Sequence, residues 1–409
     1  MREWITNDTK HFADNLQFGG VKNGSIEHYI VNIYNDIVSG SELSEKSLTI
    51  LYAVDYSKAF NLFHREKVIE TLILAGVRKE LIMLLVSYLS HRSMLVRWNE
   101  VYSDEIIVNG GLGQGTIVII IIFMLLTSSL ILNVSTPLYK YIDDMTGTET
   151  RKLEDIVNED NTVEQSRLET IEAIMDIESF ANKVGMRLNP NKTKCMLFNF
   201  TKQEIDLNLV HPTTNIPLNT VKEMKLLGIT ITNDLKTFKN TEIKYKKAMC
   251  RLYILRRLKE YTSDLRTLTN IYKSCIRSIL DFGSNATSPL MTRKEITMLE
   301  SVQRIATIII TGNKYLTYEQ RLELCELVKI EDRHTELFKK FCKKCENNER
   351  LKGWFRKPKR NHDMSSRKER KYFYPICKTS RALNNPLYTM LRFLNDEQNF
   401  KLSFSGREN

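Results

Sequence analysis

The chain has no cysteine framework. Its seven cysteines (Cys195, Cys250, Cys275, Cys325, Cys342, Cys345 and Cys377) are odd in number and scattered without regular spacing. That excludes a disulfide-stapled secreted scaffold and fits reduced thiols inside a cell. Cys342-Lys-Lys-Cys345 has zinc-like spacing, but no second close pair follows, leaving only His362 and Cys377 as distant ligands. A signal-peptide core is missing too, since the N-terminus reads Met-Arg-Glu-Trp-Ile-Thr-Asn-Asp. The stretch Gln17-Phe-Gly-Gly-Val-Lys-Asn-Gly24 is glycine-rich and basic but lacks a nucleotide-binding spacing.

Charge is present but concentrated. The net charge is +11, and residues 350–381 alone carry twelve Lys or Arg against two acids. The rest of the chain is nearly balanced. With Trp354, Phe355, Tyr372, Phe373 and Tyr374 interleaved, this segment suits a polyanion, because each neutralised phosphate releases counterions. A solvated tail is the plainer alternative. An apolar content of 42% is ample for a packed core, and 409 residues allow two or three domains. One apolar run, Ile117 to Val134, is interrupted only by Thr127, Ser128, Ser129 and Asn133. As a helix it would extend roughly 27 Å, just short of a bilayer's hydrocarbon core. A membrane span would put Gln114 and Asp143 on opposite sides, so the run is read as a buried core helix, with no membrane partner.

The chemistry-bearing stretch is Leu138-Tyr-Lys-Tyr-Ile-Asp-Asp-Met-Thr-Gly147. Its alternation, bounded by Asp and Gly, predicts two short strands and a tight turn, with Asp143 and Asp144 at the tip. Neighbours on a strand face opposite ways, so these two acids cannot serve one site equally. A partner is offered by Thr49-Ile-Leu-Tyr-Ala-Val-Asp-Tyr-Ser-Lys-Ala-Phe60, where a strand-forming run ends in Asp55. If the strands lie side by side, Asp55 and Asp143 converge. Two carboxylates about 4 Å apart repel by roughly 4 kcal/mol at a surface-like dielectric. A hard divalent cation such as Mg²⁺ removes that penalty. Paired metals so held activate a 3′-hydroxyl and stabilise leaving pyrophosphate. The bland alternative is that both acids simply end strands.

Elsewhere the pattern predicts helices from Ile26 to about Val38, over 64–76 and over 79–89. Val68, Ile69, Leu72 and Ile73 form the apolar face of the second. A hairpin over 93–108 turns at Asn99, and Gly110-Gly-Leu-Gly-Gln-Gly-Thr116 enters the apolar run. Residues 150–183 read as an amphipathic helical region with Leu168, Ile171, Ile174, Met175 and Ile177 on one face. Strands are expected at 195–198 and 226–232. A basic helix spans Asn240 to Leu258, helices at 264–281 and 292–311 complete a three-helix set, and 317–347 is helical.

Several short motifs then fall in a recognisable order: Gln17-Phe-Gly-Gly-Val-Lys, Ala53-Val-Asp-Tyr-Ser-Lys-Ala-Phe-Asn, Tyr88-Leu-Ser-His-Arg-Ser and Gly111-Leu-Gly-Gln-Gly-Thr. Tyr139-Lys-Tyr-Ile-Asp-Asp, Leu188-Asn-Pro-Asn-Lys-Thr-Lys, Lys225-Leu-Leu-Gly-Ile-Thr-Ile and Ser301-Val-Gln-Arg-Ile-Ala follow. Over about residues 15–355 the chain resembles the reverse transcriptase of non-LTR (LINE-type, jockey-like) retrotransposons. The resemblance implies an α+β right-hand polymerase: a palm of antiparallel sheet with packed helices, a helical thumb and partial fingers. It divides the chain into partial fingers (1–45), palm (46–235), thumb (236–347) and a basic, partly disordered tail (348–409).

The implied activity is RNA-directed DNA polymerisation with an RNA template, a DNA primer and dNTPs, in nucleus or cytoplasm, the oligomeric state left open. Asp55 and Asp143 would hold two Mg²⁺ ions, with Mn²⁺ admitted, and Asp144 would support them. Lys192 matches a lysine near departing pyrophosphate, and Phe60 a bulky residue that excludes a ribose 2′-hydroxyl. Gln114, with Gly115 beside it, matches the contact to incoming nucleotide. Lys244, Lys247, Arg251, Arg256 and Arg257 would track the template–primer backbone. On residues alone, Phe60 is a core aromatic, Gln114 a loop amide, Lys192 a turn residue and the thumb cations a solvated face.

The chain also departs from the family. Gly113 stands where proline is usual, and Ile117-Val-Ile-Ile-Ile-Ile122 replaces a small-residue pair. Six β-branched residues cost roughly 2–4 kcal/mol of helix preference, and packing must offset them. The segment from Thr116 to Asp143 is short, and the family's endonuclease and first fingers segment are not among residues 1–409. A truncated copy is therefore expected, and an inactive remnant that binds nucleic acid is the competing reading. A viral RNA-dependent RNA polymerase ranks third, since Gly-Asp-Asp and a smaller or polar residue near Phe60 are usual there.

Overall fold

The computed structural model describes residues 2–12, 14–43, 46–57, 60, 62–108, 110–112, 116–130, 132–358, 370–373, 375–398 and 400–404. Two compact units emerge: residues 1–29 with 46–221, and residues 30–45 with 222–409. The Ile26–Leu43 helix runs through the boundary, its first turn clustering with the first unit.

The first unit is built on a five-stranded sheet. Its strands are β1 (Ser47–Val54), β2 (Leu138–Tyr141), β3 (Asp144–Lys152), β4 (Lys194–Asn199) and β5 (Asn219–Thr220), in the order β5-β4-β1-β3-β2. Central β1 is antiparallel to both β3 and β4. A strand covered on both sides reads as a continuous apolar run, which is how Ser47-Leu-Thr-Ile-Leu-Tyr-Ala-Val54 looks. Leu48, Ile50, Tyr52 and Val54 share one face and join a core with Val68, Leu72, Phe123, Ile174 and Ile177. Gly147 lies within β3, directly opposite Tyr52, and does not end the turn. A Cβ there would come 2.1 Å from Tyr52 Cζ, so the glycine is what lets the tyrosine ring cross the sheet.

The apolar run forms a helix only over Ile117–Ser128. It stops where hydroxyls of Thr127, Ser128 and Ser129 donate back to the carbonyls of Met124 and Leu126. Ile119, Ile121, Ile122 and Phe123 are buried, and this packing offsets the weak helix preference. Among the described residues, no helix is long and apolar enough to cross a membrane. The amphipathic helix likewise begins only at Glu169, after β3, which extends to Lys152, and a one-turn helix at Leu153–Ile156. Its start is set by Glu149, whose carboxylate accepts the N–H groups of Glu169 (3.0 Å) and Thr170 (2.7 Å). Leu168, Ile171, Ile174 and Ile177 are buried as the spacing predicts, whereas Met175 and Ile73 face solvent. The 93–107 hairpin forms, with Asn99 and Glu100 both at positive φ in its turn.

In the second unit, one expected strand becomes a hairpin, Glu223–Leu226 against Ile229–Thr232, with Leu227 and Gly228 at positive φ between. Helices follow at Phe238–Lys259, Leu265–Tyr272, Arg293–Thr311, Tyr318–Leu324 and Ile330–Glu346. A π-helical turn at Lys273–Arg277 carries the second of these on to Ser278–Asp281. Among the described residues of 348–409, α-helices form at Ser380–Leu383 and Pro386–Asn395. Pro386–Asn395 is a helix with Leu387, Met390, Leu391 and Leu394 buried, a helical spacing outweighed in the sequence by the neighbouring charge. Trp354 Nε1–H donates to Asn32 Oδ1 at 3.1 Å, and the Tyr372 hydroxyl donates to Glu346 at 2.7 Å. Cys342 and Cys345 are fully buried on the Ile330–Glu346 helix, while His362 and Tyr374 lie outside the described residues.

Candidate functional site

The register of the sheet assembles the site. The β1–β3 ladder ends at Val54↔Met145, so Asp55 and Asp144 are the next residues along either strand. The β2–β3 ladder closes at Tyr141↔Asp144, leaving Ile142 and Asp143 as a two-residue turn. Ile142 has φ +61°, as tight hairpin turns require. Asp143 therefore sits in a turn, and the strand alternation that set it on the opposite face from Asp144 does not apply.

All three acids share one field. The Asp144 carboxyl is pushed up to about 6, first by lost hydration and then by the charges of Asp143 and Asp55. Asp143 is raised as well, by lost hydration first, with the Asp55 charge adding and its own backbone N–H opposing. Both side chains stay solvent-accessible at the hairpin tip.

Lys192 reaches the same place from another loop. The short ribbon Tyr56↔Leu188 and Ser57↔Arg187 brings residues 189–193 beside Asp55. Asn189 N–H donates to the Asp55 carbonyl at 3.0 Å, and Lys192 Nζ lies 3.0 Å from Asp55 Oδ2. Phe60 packs its ring on Phe123, centroids 4.7 Å apart, at the edge of the core. Gln114 and Gly115, like Gly113, lie outside the described residues. Lys140, inside the Tyr-Lys-Tyr motif, is buried: it pairs with Asp14 at 2.7 Å and donates to the Thr127 carbonyl at 2.8 Å.

Among the described residues, no three His, Cys, Asp or Glu side chains gather closely enough to cage a metal by themselves. The accessible carboxylates of Asp55 and Asp143 still suit Mg²⁺, which takes one or two protein carboxylates and fills its remaining positions with water and phosphate oxygens.

Of the basic-helix residues, Lys247, Arg251, Arg256 and Arg257 are exposed. Lys244 is not: at 5% exposure it has no surface to offer a phosphate. It shares the inward stripe of Thr241, Ala248, Leu252 and Leu255, which the run of lysines around it masks in the sequence.

Residues 5–231 match the model of the family described as reverse transcriptase (RNA-dependent DNA polymerase). No curated protein matches the chain in sequence. Solved structures similar to it include apo telomerase from Candida tropicalis, at 12% identity and TM-score 0.41, covering 79% of this chain and 52% of that one. Telomerase from Candida tropicalis with the TWJ fragment of telomeric RNA gives 11% identity and TM-score 0.38, over 75% and 50%. The corresponding Candida albicans complex gives 11% and 0.33, over 84% and 55%. The chain thus spans about half the length of these solved chains.

Proposed function

The chain belongs to the reverse transcriptase (RNA-dependent DNA polymerase) family, and from that premise we propose that it extends a DNA 3′-hydroxyl along an RNA template. Asp55, Asp143 and Asp144 carry the reaction. The observation that supports this most directly is the sheet register, which puts Asp55 and Asp144 side by side at the ends of paired strands and Asp143 in the turn beside them. Carboxylates crowded in this way, yet open to solvent, are arranged to share cations.

Asp55 and Asp143 are the residues that would hold Mg²⁺, with Asp144 supporting them. When bound, the metal supplies the charge that activates the 3′-hydroxyl and stabilises leaving pyrophosphate. Lys192, paired with Asp55 at 3.0 Å, would offer its ammonium to the departing pyrophosphate. Phe60 limits the sugar at its 2′ position, and Gln114 with Gly115 contacts the incoming nucleotide. The finer assignment is a non-LTR retrotransposon enzyme acting in nucleus or cytoplasm. Residues 46–235 serve as palm and 236–347 as thumb, with Lys247, Arg251, Arg256 and Arg257 along the duplex backbone.

Primer extension with purified chain, RNA template, DNA primer, dNTPs and Mg²⁺ tests the proposal. Incorporation by wild type and its loss in Asp143→Ala are expected; a flat wild type overturns the activity. One observation favours a second reading, a remnant that only binds nucleic acid: the exposed cations of the basic helix need no carboxylate to hold RNA. Salt-sensitive RNA binding that survives loss of Asp55 and Asp143, with no synthesis by wild type, selects that reading.

A further inference from the structure

The turn that carries Asp143 is held from outside its own hairpin. Residues 16–18 run parallel to β2 at the edge of the sheet: Lys140 N–H donates to the Leu16 carbonyl at 2.9 Å, and Phe18 N–H to the Lys140 carbonyl at 2.8 Å. Between them Gln17 is 1% exposed. Its Oε1 accepts two backbone N–H groups at 3.0 Å each, one from Gly19 and one from Ile142, 125 residues away. A hairpin turn leaves the N–H of its first residue outside the ladder, and a buried donor must find a partner. Here the partner is a side chain from the beginning of the chain.

Ile142 needs that support. A β-branched residue at φ +61° occupies a region that costs an L-residue roughly 1–2 kcal/mol. The turn therefore has a standing reason to relax, and relaxation would carry Asp143 with it. Gly19 completes the brace by absence of a side chain: a Cβ there would lie 2.8 Å from both the nitrogen and Cγ1 of Ile142. Gly20, at φ +68°, turns the segment against the Ile117–Ser128 helix, where a Cβ would come 2.6 Å from Met124 Sδ. The Phe18 ring is 6.3 Å from the rings of Tyr29 and Tyr139, which anchors the segment in the body of the unit. The two glycines thus serve close packing, one against the turn and one against the helix.

We infer that Gln17 and Gly19 are positioning residues: they lock the Ile142–Asp143 turn and so fix where the Asp143 carboxylate stands. The inference rests on the polymerase reading of Asp143. A reacting group displaced by about 1 Å can lose roughly a hundredfold in rate, so the brace acts on turnover and not on binding.

The test compares wild type with Gln17→Met, which keeps the side-chain length but removes the accepting oxygen, and with Gln17→Glu, which keeps an acceptor. Amide exchange read by mass spectrometry on peptides spanning 139–146 should speed up in Gln17→Met and return toward wild type in Gln17→Glu. In the same Gln17→Met protein, kcat for primer extension should fall about tenfold or more, with KM for dNTP and affinity for primer–template within about threefold of wild type. Gly19→Ala is the second variant, expected to give the same signature if Gln17→Met does not fold. Unchanged exchange at 139–146 overturns the brace. Faster exchange with unchanged kcat overturns the positioning role. A wild type that extends nothing overturns the polymerase reading instead, and the exchange comparison then decides the brace by itself.

Discussion

Lys192 Nζ lies 3.0 Å from Asp55 Oδ2, joining the loop after residue 188 to the acid at the end of β1. Both side chains are well exposed, at 62% and 43%, and such a pair is worth under about 1 kcal/mol of stability. The role proposed for it is chemical. Lys192→Met should leave thermal unfolding nearly unchanged and slow nucleotide incorporation by roughly a hundredfold, the scale of losing one transition-state charge partner. Single-turnover extension beside a melting curve checks this. Equal rates in the two proteins would remove Lys192 from the site.

Gly147 and Tyr52 should behave as one unit. Gly147→Ala drives a methyl into a ring that is fully buried, a cost of about 3 kcal/mol by overpacking. Trimming the ring in Tyr52→Leu should recover part of that loss, so denaturant melts of the double mutant are expected to show positive coupling. Additive losses would mean that the sheet, and not the ring, resists the methyl.

The exposed and buried cations of the Phe238–Lys259 helix should separate in a salt titration. Arg256→Ala and Arg257→Ala each lower the slope of log affinity against log salt by roughly one for every phosphate that is no longer neutralised. Lys244→Met should leave that slope alone, since its ammonium lies inside the unit. Fluorescence anisotropy with labelled primer–template at several salt concentrations is the measurement.

His334 predicts a pH dependence in the second unit. Its ring is buried, with Nδ1 2.9 Å from Ser288 Oγ and Nε2 3.5 Å from Asp281 Oδ1. Burial holds its pKa below the ordinary 6.5, with the Lys244 and Arg333 charges adding and Asp281 opposing. The unfolded chain therefore binds this proton more readily, and stability present above about pH 6.5 is lost as pH falls below it. Thermal midpoints from about pH 7.5 down to about pH 5 should drop more steeply in wild type than in His334→Gln. Parallel curves would assign the slope to other groups.

The parts of the site legible in the sequence are those set by near neighbours along the chain. Asp55 at the end of an apolar strand and Asp143 at the tip of a hairpin follow from alternation and turn residues, and the register brings them together. Lys192 is expected near pyrophosphate from its motif alone; that it meets Asp55 depends on the two-residue ribbon Tyr56↔Leu188 and Ser57↔Arg187, too short to announce itself. The helical tail at Pro386–Asn395 has the right spacing, but the charge before it masks the pattern.

The order of residues by itself determined the longer strands, that Asp55 follows one of them and Asp143 sits at a hairpin tip, and that the family is a polymerase one, because period-two alternation, turn chemistry and short motifs are read along the chain. Tertiary structure decided the rest. Gln17 holds Ile142 across 125 residues, Tyr52 needs the bare Gly147, and Lys244 turns inward among apolar neighbours. Each depends on which surfaces the folded backbone brings within a few ångströms, and burial and hydrogen bonding between distant residues are set only when the sheet and helices close on one another.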